Sequence, residues 1–408
     1  MTCSKRNTRQ LLIITGVLIL VIYLPLNLFY LLFIAPRQVE RHDESLGNKP
    51  KTEDRFAVQI TDITSDEYGN VKVVLSLGIK ELLGYLDGNN INKGEVTGNP
   101  PPDNVQFVIN SPNVCRNSSK VKYIVYVHSS PENLHKRNLL RQTWISRTLF
   151  AERVIERVFL MGRSSKPGVQ AKIQAEANTY GDVVQGDFED NYKNLTLKAL
   201  MGLKWVSVYC TQAEFAIKAD DDAFVNIFNL LHLLEQHRGK KKLLACALWR
   251  DNSMPILRDP SKCSKWCVKF NEFPGRRYFP KYCAGLTFVF STDLVQLLYN
   301  TSRTTSFFWI DDVYVTGILP MKVKNMEYIS LIKNFTLKQD EALAQLKDAN
   351  KSMTNLFVHV KKSEDFLPMW QLLLKRLTID DVKLLGTDVI ERSPSMKQLL
   401  SREAKKNQ

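Results

Sequence analysis

The sequence predicts an α/β fold built on a mostly parallel sheet, and three observations predict it. Short apolar runs alternate with helical patterns after residue 118. One of these runs, Phe215-Ala216-Ile217-Lys218-Ala219, opens directly into Asp220-Asp221-Asp222. Residues 191–208 carry apolar side chains at 192, 195, 199, 203 and 206, the spacing of an amphipathic helix that delivers the chain to that run. Open α/β sheets bind ligands beyond the carboxyl ends of their strands, so the acids stand where a ligand is expected.

The elements follow in order. Residues 1–10 carry Lys5, Arg6 and Arg9 and read as a cytoplasmic tail. Leu11 to Ala35 holds no charged residue, and at ~1.5 Å per residue it reaches about 37 Å, enough to cross a bilayer core. That stretch is longer than a signal peptide's apolar region, which favours an uncleaved anchor and a single-pass type II orientation. Residues 36–118 read as a stem, partly structured, since Val71, Val73, Leu75 and Leu77 alternate like a strand before the break at Asn99-Pro100-Pro101-Pro102. Residues 119–385 form the luminal domain, and 386–408 a basic tail. Within the domain, Tyr123–Val127, Val158–Met161 and Asp182–Val184 read as strands, with a helix through Arg137 to Trp144 after the first.

The net charge of +14 is spread out, with no focused cationic stripe and no nucleic-acid-binding module, so nucleic acid is not an expected partner. Asn117, Asn194, Asn300, Asn334 and Asn350 each begin an Asn-x-Ser/Thr sequon after the anchor. Six cysteines follow it as well: Cys115, Cys210, Cys246, Cys263, Cys267 and Cys283. An even number suits disulfides in an oxidising compartment; Cys263 and Cys267 have no second pair at zinc-ligand spacing.

Two carboxylates one residue apart can share a hard divalent cation, which in turn can hold a diphosphate. Asp220 and Asp222 project to similar sides of an extended segment, whereas Asp221 faces elsewhere, as a structural acid or toward a ribose. A solvated acidic turn is the alternative for the whole triplet.

Four blocks carry a family resemblance. They are Arg137-x-x-x-Arg141-Gln142-Thr143-Trp144; Tyr180-Gly181-Asp182 through Asp187-Phe188-Glu189-Asp190 to Lys198; Lys218-x-Asp220-Asp221-Asp222-x-Phe224; and Tyr278-x-Pro280 through Gly285 to Asp311-Asp312-Val313-Tyr314. Together the chain resembles the animal β-1,3-glycosyltransferases, the family of β-1,3-galactosyl- and β-1,3-N-acetylglucosaminyltransferases. The resemblance implies a GT-A-type fold behind the transmembrane helix, with a nucleotide-binding half and an acceptor-binding half. It implies a Golgi enzyme, using Mn2+, that transfers galactose with inversion from UDP-galactose to the 3-hydroxyl of a glycan on protein or lipid. Transfer of N-acetylglucosamine and a catalytically silent membrane-anchored chaperone or lectin are the alternatives, and a homodimer is compatible with either.

By the same resemblance Asp312 is the catalytic base, with Asp311 standing where the family usually has Glu. Helix capping is the structural alternative for that pair. Asp220 and Asp222 are the metal ligands, joined by His359 after the apolar run Leu356–Val358; a structural histidine is the alternative there. Arg137 and Arg141, one helical turn apart, serve the nucleotide side with Lys218 and Asp221, although a salt bridge for Arg137 and a solvated strand-edge site for Lys218 are open. Tyr282, Gly285 and Asp311 belong to the acceptor side, and Trp144 to the core.

Overall fold

The computed structural model describes residues 60–65, 71–75, 101, 105–116, 120–151 and 154–406. The cytoplasmic tail at 1–10, the apolar stretch 11–35, most of the stem and Asn117 lie outside the described residues. No helix among the described residues is long and apolar enough to cross a membrane. The chain divides into two units, residues 1–74 and 75–408. In the first, β1 (Ile60–Ser65) pairs with β2 (Val71–Leu75), and β2 is the strand expected from the alternation at 71–77.

The second unit contains the expected α/β sheet. Its strands are β3 (Phe107–Ile109), β4 (Tyr123–His128), β5 (Ile155–Arg163), β6 (Val183–Glu189), β7 (Phe215–Asp220), β9 (Leu243–Trp249), β10 (Tyr282–Ser291) and β11 (Glu327–Ser330). They lie in the order β11-β9-β10-β7-β4-β5-β6-β3. Pairing is parallel from β6 through β5 and β4 to β7 and again between β11 and β9, while β10 and β3 run against their neighbours. The chain winds outward from β4 through β5 to β6, then returns to place β7 on the other side of β4. Strand order therefore reverses between β4 and β7, and such a switch point opens a crevice at the strands' carboxyl ends.

Helices fill both faces. α1 (Leu134–Gln142) follows β4, α2 (Val169–Tyr180) follows β5, and α3 (Leu195–Tyr209) leads into β7. α4 (Ile227–Glu235) and α5 (Thr292–Ser302) follow the acids and β10. Alternation along the strands divides the core in two. Tyr123, Val125, Val127, Phe215, Ile217 and Ala219 pack on one face; Ile124, Tyr126 and Ala216 pack on the other, with α3 and α5. α3 is buried on more than the single stripe expected: Leu200, Met201 and Trp205 are covered along with Ala199, Leu203 and Val206. At Gly202 an added Cβ would lie 2.7 Å from Leu160 Cδ1, so glycine lets this helix lie close against the sheet.

Two boundaries differ from expectation. The domain begins before residue 119, because β3 pairs with β6 and Cys115 is bridged to Cys210. The first helix ends at Gln142, and Trp144 is buried beyond it with its Nε1 donating to Ala223 O. The basic tail is largely helical at Pro394–Lys406 and anchors through buried Met396. All six cysteines of the domain are paired, as Cys115–Cys210, Cys246–Cys283 and Cys263–Cys267.

Candidate active site

The carboxyl ends of β4 and β7 bring His128 opposite Asp220. Parity along the two strands puts His128, Lys218 and Asp220 on the face that carries α3 and α5. The chain turns at Asp221-Asp222 and re-forms as β8 (Ala223–Val225). This strand pairs antiparallel with β13 (Phe357–His359), which is flanked on its other side by β12 (Phe335–Thr336). His359 stands opposite Ala223, Val360 N donates to Asp222 O over 2.9 Å, and His359 Nε2 lies 3.7 Å from Asp222 Oδ2. Both side chains keep an open side, 29 % exposed for Asp222 and 30 % for His359.

Asp221 points away from its neighbours and is fully engaged. It accepts from Ser129 Oγ and Asn133 Nδ2 at 2.8 Å and from Lys136 Nζ at 3.0 Å. Those donors belong to the loop and first turn after β4, so Asp221 fixes one wall of the crevice. Lys136 also reaches Asp222 Oδ2 at 3.4 Å.

Lys218 is 1 % exposed on a central strand, which corrects the solvated-edge expectation. Its Nζ donates to Asp220 Oδ1 at 2.6 Å and to Gly285 O. Burial works against the ammonium, but Asp220, Asp311 and Asp312 together hold its pKa above the usual lysine value. Burial draws the Asp220 carboxyl up to about 6, against the pull of Lys218; the 39 % exposure of its side chain moderates that effect by solvent screening.

Asp311 and Asp312 open a short helix whose next turn widens, with Leu319 N donating to Tyr314 O five residues back. Such wide turns recur at functional sites. Asp312 Oδ1 accepts from Val313 N at 2.7 Å, a local bond inside a helix whose N-cap is Ile310 and which no side chain caps. The half-buried Asp312 carboxyl is raised to about 7, by burial first and then by the charge of Asp311. A Cβ on Gly285 would lie 3.1 Å from Asp312 Oδ2; this glycine makes room for the acid rather than for a sugar. Tyr282 is buried against Phe279 at the start of the same strand.

Arg137 and Arg141 are corrected. All five Arg137 N–H donors are used, on Glu176, Ser129 Oγ, Ser130 O and Pro131 O. Arg141 binds Asp182, Glu176 and Asn138 and lies between the rings of Phe159 and Tyr180. Both face a buried acidic cluster; Arg137 braces the loop after β4 through Ser129, Ser130 and Pro131, and Arg141 ties α1 to Glu176 and Asp182. Lys198 braces that loop from α3, donating to Ser129 O at 2.8 Å and to Asp190 Oδ1 at 3.0 Å.

His128 and Lys136 escaped the sequence reading. His128 is buried with neither ring nitrogen hydrogen-bonded, and Nδ1 lies 3.7 Å from Asp311 Oδ2. Burial, then Lys218 and Lys198, push its pKa well below the usual histidine value, so the ring is neutral. Its position at the end of β4, level with the acids, was the available signal.

Among the described residues no three His, Cys, Asp or Glu side chains already converge on one point. Asp220 and Asp222 offer carboxylate oxygens and His359 an imidazole, donor types that a hard-to-borderline divalent ion takes. A cavity of about 540 Å³, lined by Glu214, Phe215, Arg238 and Asp293, lies at the other end of β7 and is not bordered by the acids.

Of the sequons, Asn300 and Asn350 are exposed. The side-chain amides of Asn194 and Asn334 donate to Glu189 O at 2.9 Å and Thr354 O at 2.7 Å.

Comparison with known proteins follows the same residues. Residues 135–329 match the family model described as Galactosyltransferase. Human beta-1,3-galactosyltransferase 1 is 33 % identical over 214 residues, covering 52 % of this chain and 64 % of that protein. Human beta-1,3-galactosyltransferase 5 is 36 % identical over 192 residues, covering 47 % of this chain and 60 % of that protein. The chain thus spans a little under two thirds of the curated relatives it matches. The solved galactosyltransferase LgtC, in complex with donor and acceptor sugar analogs, overlaps 63 % of this chain and 96 % of its own at 10 % identity and a TM-score of 0.30, too low to bear on the chemistry. Over residues 135–329 this chain is similar to the galactosyltransferase family, and β-1,3-galactosyltransferases are among the proteins it matches.

Proposed function

We propose that the chain is an inverting transferase that moves galactose from UDP-galactose to the 3-hydroxyl of a glycan acceptor, forming a β-1,3 linkage. The observation that supports this most is the half-buried Asp312, raised to about 7, on the crevice that also holds Asp220 and Lys218. A general base serves best with a pKa near the working pH. Asp312 takes the proton of the acceptor hydroxyl as its oxygen bonds to the anomeric carbon and the bond to UDP breaks. Lys218 and its ion pair with Asp220 fix the floor of the crevice, and Asp221 and Arg137 hold the loop after β4 in place.

Asp220, Asp222 and His359 would hold a divalent ion, Mn2+ in our reading. Once bound, it would act as a Lewis acid on the diphosphate. Transfer of N-acetylglucosamine is the second reading, since nothing in the crevice selects between the sugars. Residues 11–35 support a type II Golgi membrane anchor, and the paired luminal cysteines suit an oxidising compartment. Asn300 and Asn350 are the favoured glycosylation sites. Residues 135–329 and the mixed sheet agree with a GT-A-type fold. The test is the linkage in the product formed from UDP-galactose: a β-1,3 bond by NMR is expected, and an α bond would overturn the inverting reading.

A further inference from the structure

The segment between β9 and β10 is unlike the rest of the surface. Residues 250–281 contain eight basic and three acidic residues, a net +5 from a chain whose charge otherwise looks diffuse. Large apolar side chains are exposed on it: Trp266 at 49 %, Phe270 at 41 % and Tyr278 at 39 %. The segment is nonetheless built rather than loose. Arg258 donates to the carbonyls of Val268, Lys269, Phe273 and Arg276, and the Cys263–Cys267 bridge closes the turn that carries Trp266.

This flap borders the candidate active site. Phe273 packs edge-to-face on Phe308 at 5.4 Å, three residues before Asp311. Trp266 and Tyr192 share one cation, Lys265 Nζ, over their rings, and Tyr192 lies within the fields of Asp312, Asp311 and Asp220. Tyr192 in turn meets Trp309 at 6.1 Å, and Trp309 Nε1 is buried without a partner. Two ammonium groups sit on these rings. Lys193 Nζ lies 3.0 Å from the Trp309 centroid, and Lys265 Nζ lies 4.6 Å from Tyr192 and 4.9 Å from Trp266. Burial lowers the Lys193 pKa, and the nearby charges of Glu272 and Lys269 act on it in opposite directions.

Aromatic faces suit the apolar face of a pyranose ring, and exposed cations beside them suit an anionic substituent. From this we infer that the flap, with Trp266, Lys193 and Lys265 as its contacts, binds the acceptor, and that the acceptor is an anionic glycan bearing carboxylate or sulfate groups. The inference rests on the proposed transferase function for the word acceptor, but the binding surface can be tested without turnover.

The experiment is calorimetric titration of the full-length chain with a tetrasaccharide alternating glucuronate and N-acetylgalactosamine. The same tetrasaccharide with its carboxylates reduced to alcohols serves as the neutral probe. Each is titrated with UDP and Mn2+ present. The account predicts that the charged probe binds at least tenfold more tightly and that the difference shrinks at high salt. Trp266→Ala should weaken both probes, whereas the Lys193→Gln, Lys265→Gln double variant should erase only the preference for charge. UDP affinity should be unchanged in all of them. Equal binding of the two probes, or no binding of either, overturns the inference even if UDP-galactose is turned over on a neutral acceptor. Charge-selective binding that depends on Trp266, in a chain that turns over no sugar nucleotide, supports the surface and removes the transferase reading instead.

Discussion

His359 Nε2 lies 3.7 Å from Asp222 Oδ2, and the pairing of β13 with β8 puts it there. A histidine far along the chain thus meets the last of three consecutive acids at the mouth of the crevice. If these side chains hold the divalent ion, Asp222→Asn and His359→Ala should each weaken Mn2+-dependent UDP binding at least tenfold, with unchanged thermal unfolding. Calorimetry with and without EDTA checks this; undiminished binding in Asp222→Asn would remove the metal assignment.

Asp312→Asn separates binding from chemistry. UDP affinity should persist while transfer falls roughly 10²–10⁴-fold, the usual worth of a positioned base. Equal loss of both would return Asp312 to a structural role.

The same residue sets a pH dependence. Its carboxyl is raised to about 7, so the ionised, proton-accepting form is lost as pH falls through that value and gained as pH rises. The pH profile of kcat/KM should therefore climb through about 7 on its acidic side. Asp311→Asn removes a neighbouring negative charge and should move that limb to lower pH.

Gly285 tests the packing around the base. Gly285→Ala would put a methyl 3.1 Å from Asp312 Oδ2, so the carboxylate must give by a few tenths of an ångström. A misplacement of about 1 Å costs on the order of 10²-fold in rate, so this smaller shift should cost less than that, with kcat carrying the loss and the fold intact.

Glu176→Gln addresses the corrected arginines. Glu176 is buried and shared by Arg137 and Arg141, so neutralising it leaves two buried guanidinium groups under-compensated. Removing one partner from such a cluster costs about 3–5 kcal/mol, read as a fall in denaturation midpoint. Were the arginines phosphate ligands instead, UDP affinity would fall and stability would hold.

The strand that carries the acids was legible because an apolar run ending in three carboxylates must pass from a buried sheet into a polar crevice. The parallel pairing among β4, β5, β6 and β7 followed from strand-helix alternation, whereas their order in the sheet did not. What stayed hidden depended on contacts between distant residues. β3 is only Phe107-Val108-Ile109, too short to show a period. Arg137 and Arg141 share a helix face, as expected, but their partners Glu176 and Asp182 lie on α2 and just beyond it. The burial of Lys218 comes from β10 packing against β7, which no local pattern encodes. The basic flap was lost in the total charge and emerges only when Trp266 and Lys265 are seen beside Tyr192.

The most direct test is UDP release by the full-length chain with Mn2+, across UDP-galactose, UDP-N-acetylglucosamine and UDP-glucose, with and without galactose-, N-acetylgalactosamine- and xylose-ended acceptors. Release from UDP-galactose that requires an acceptor is the predicted result. A folded chain that binds no UDP in the presence of Mn2+ would contradict the account.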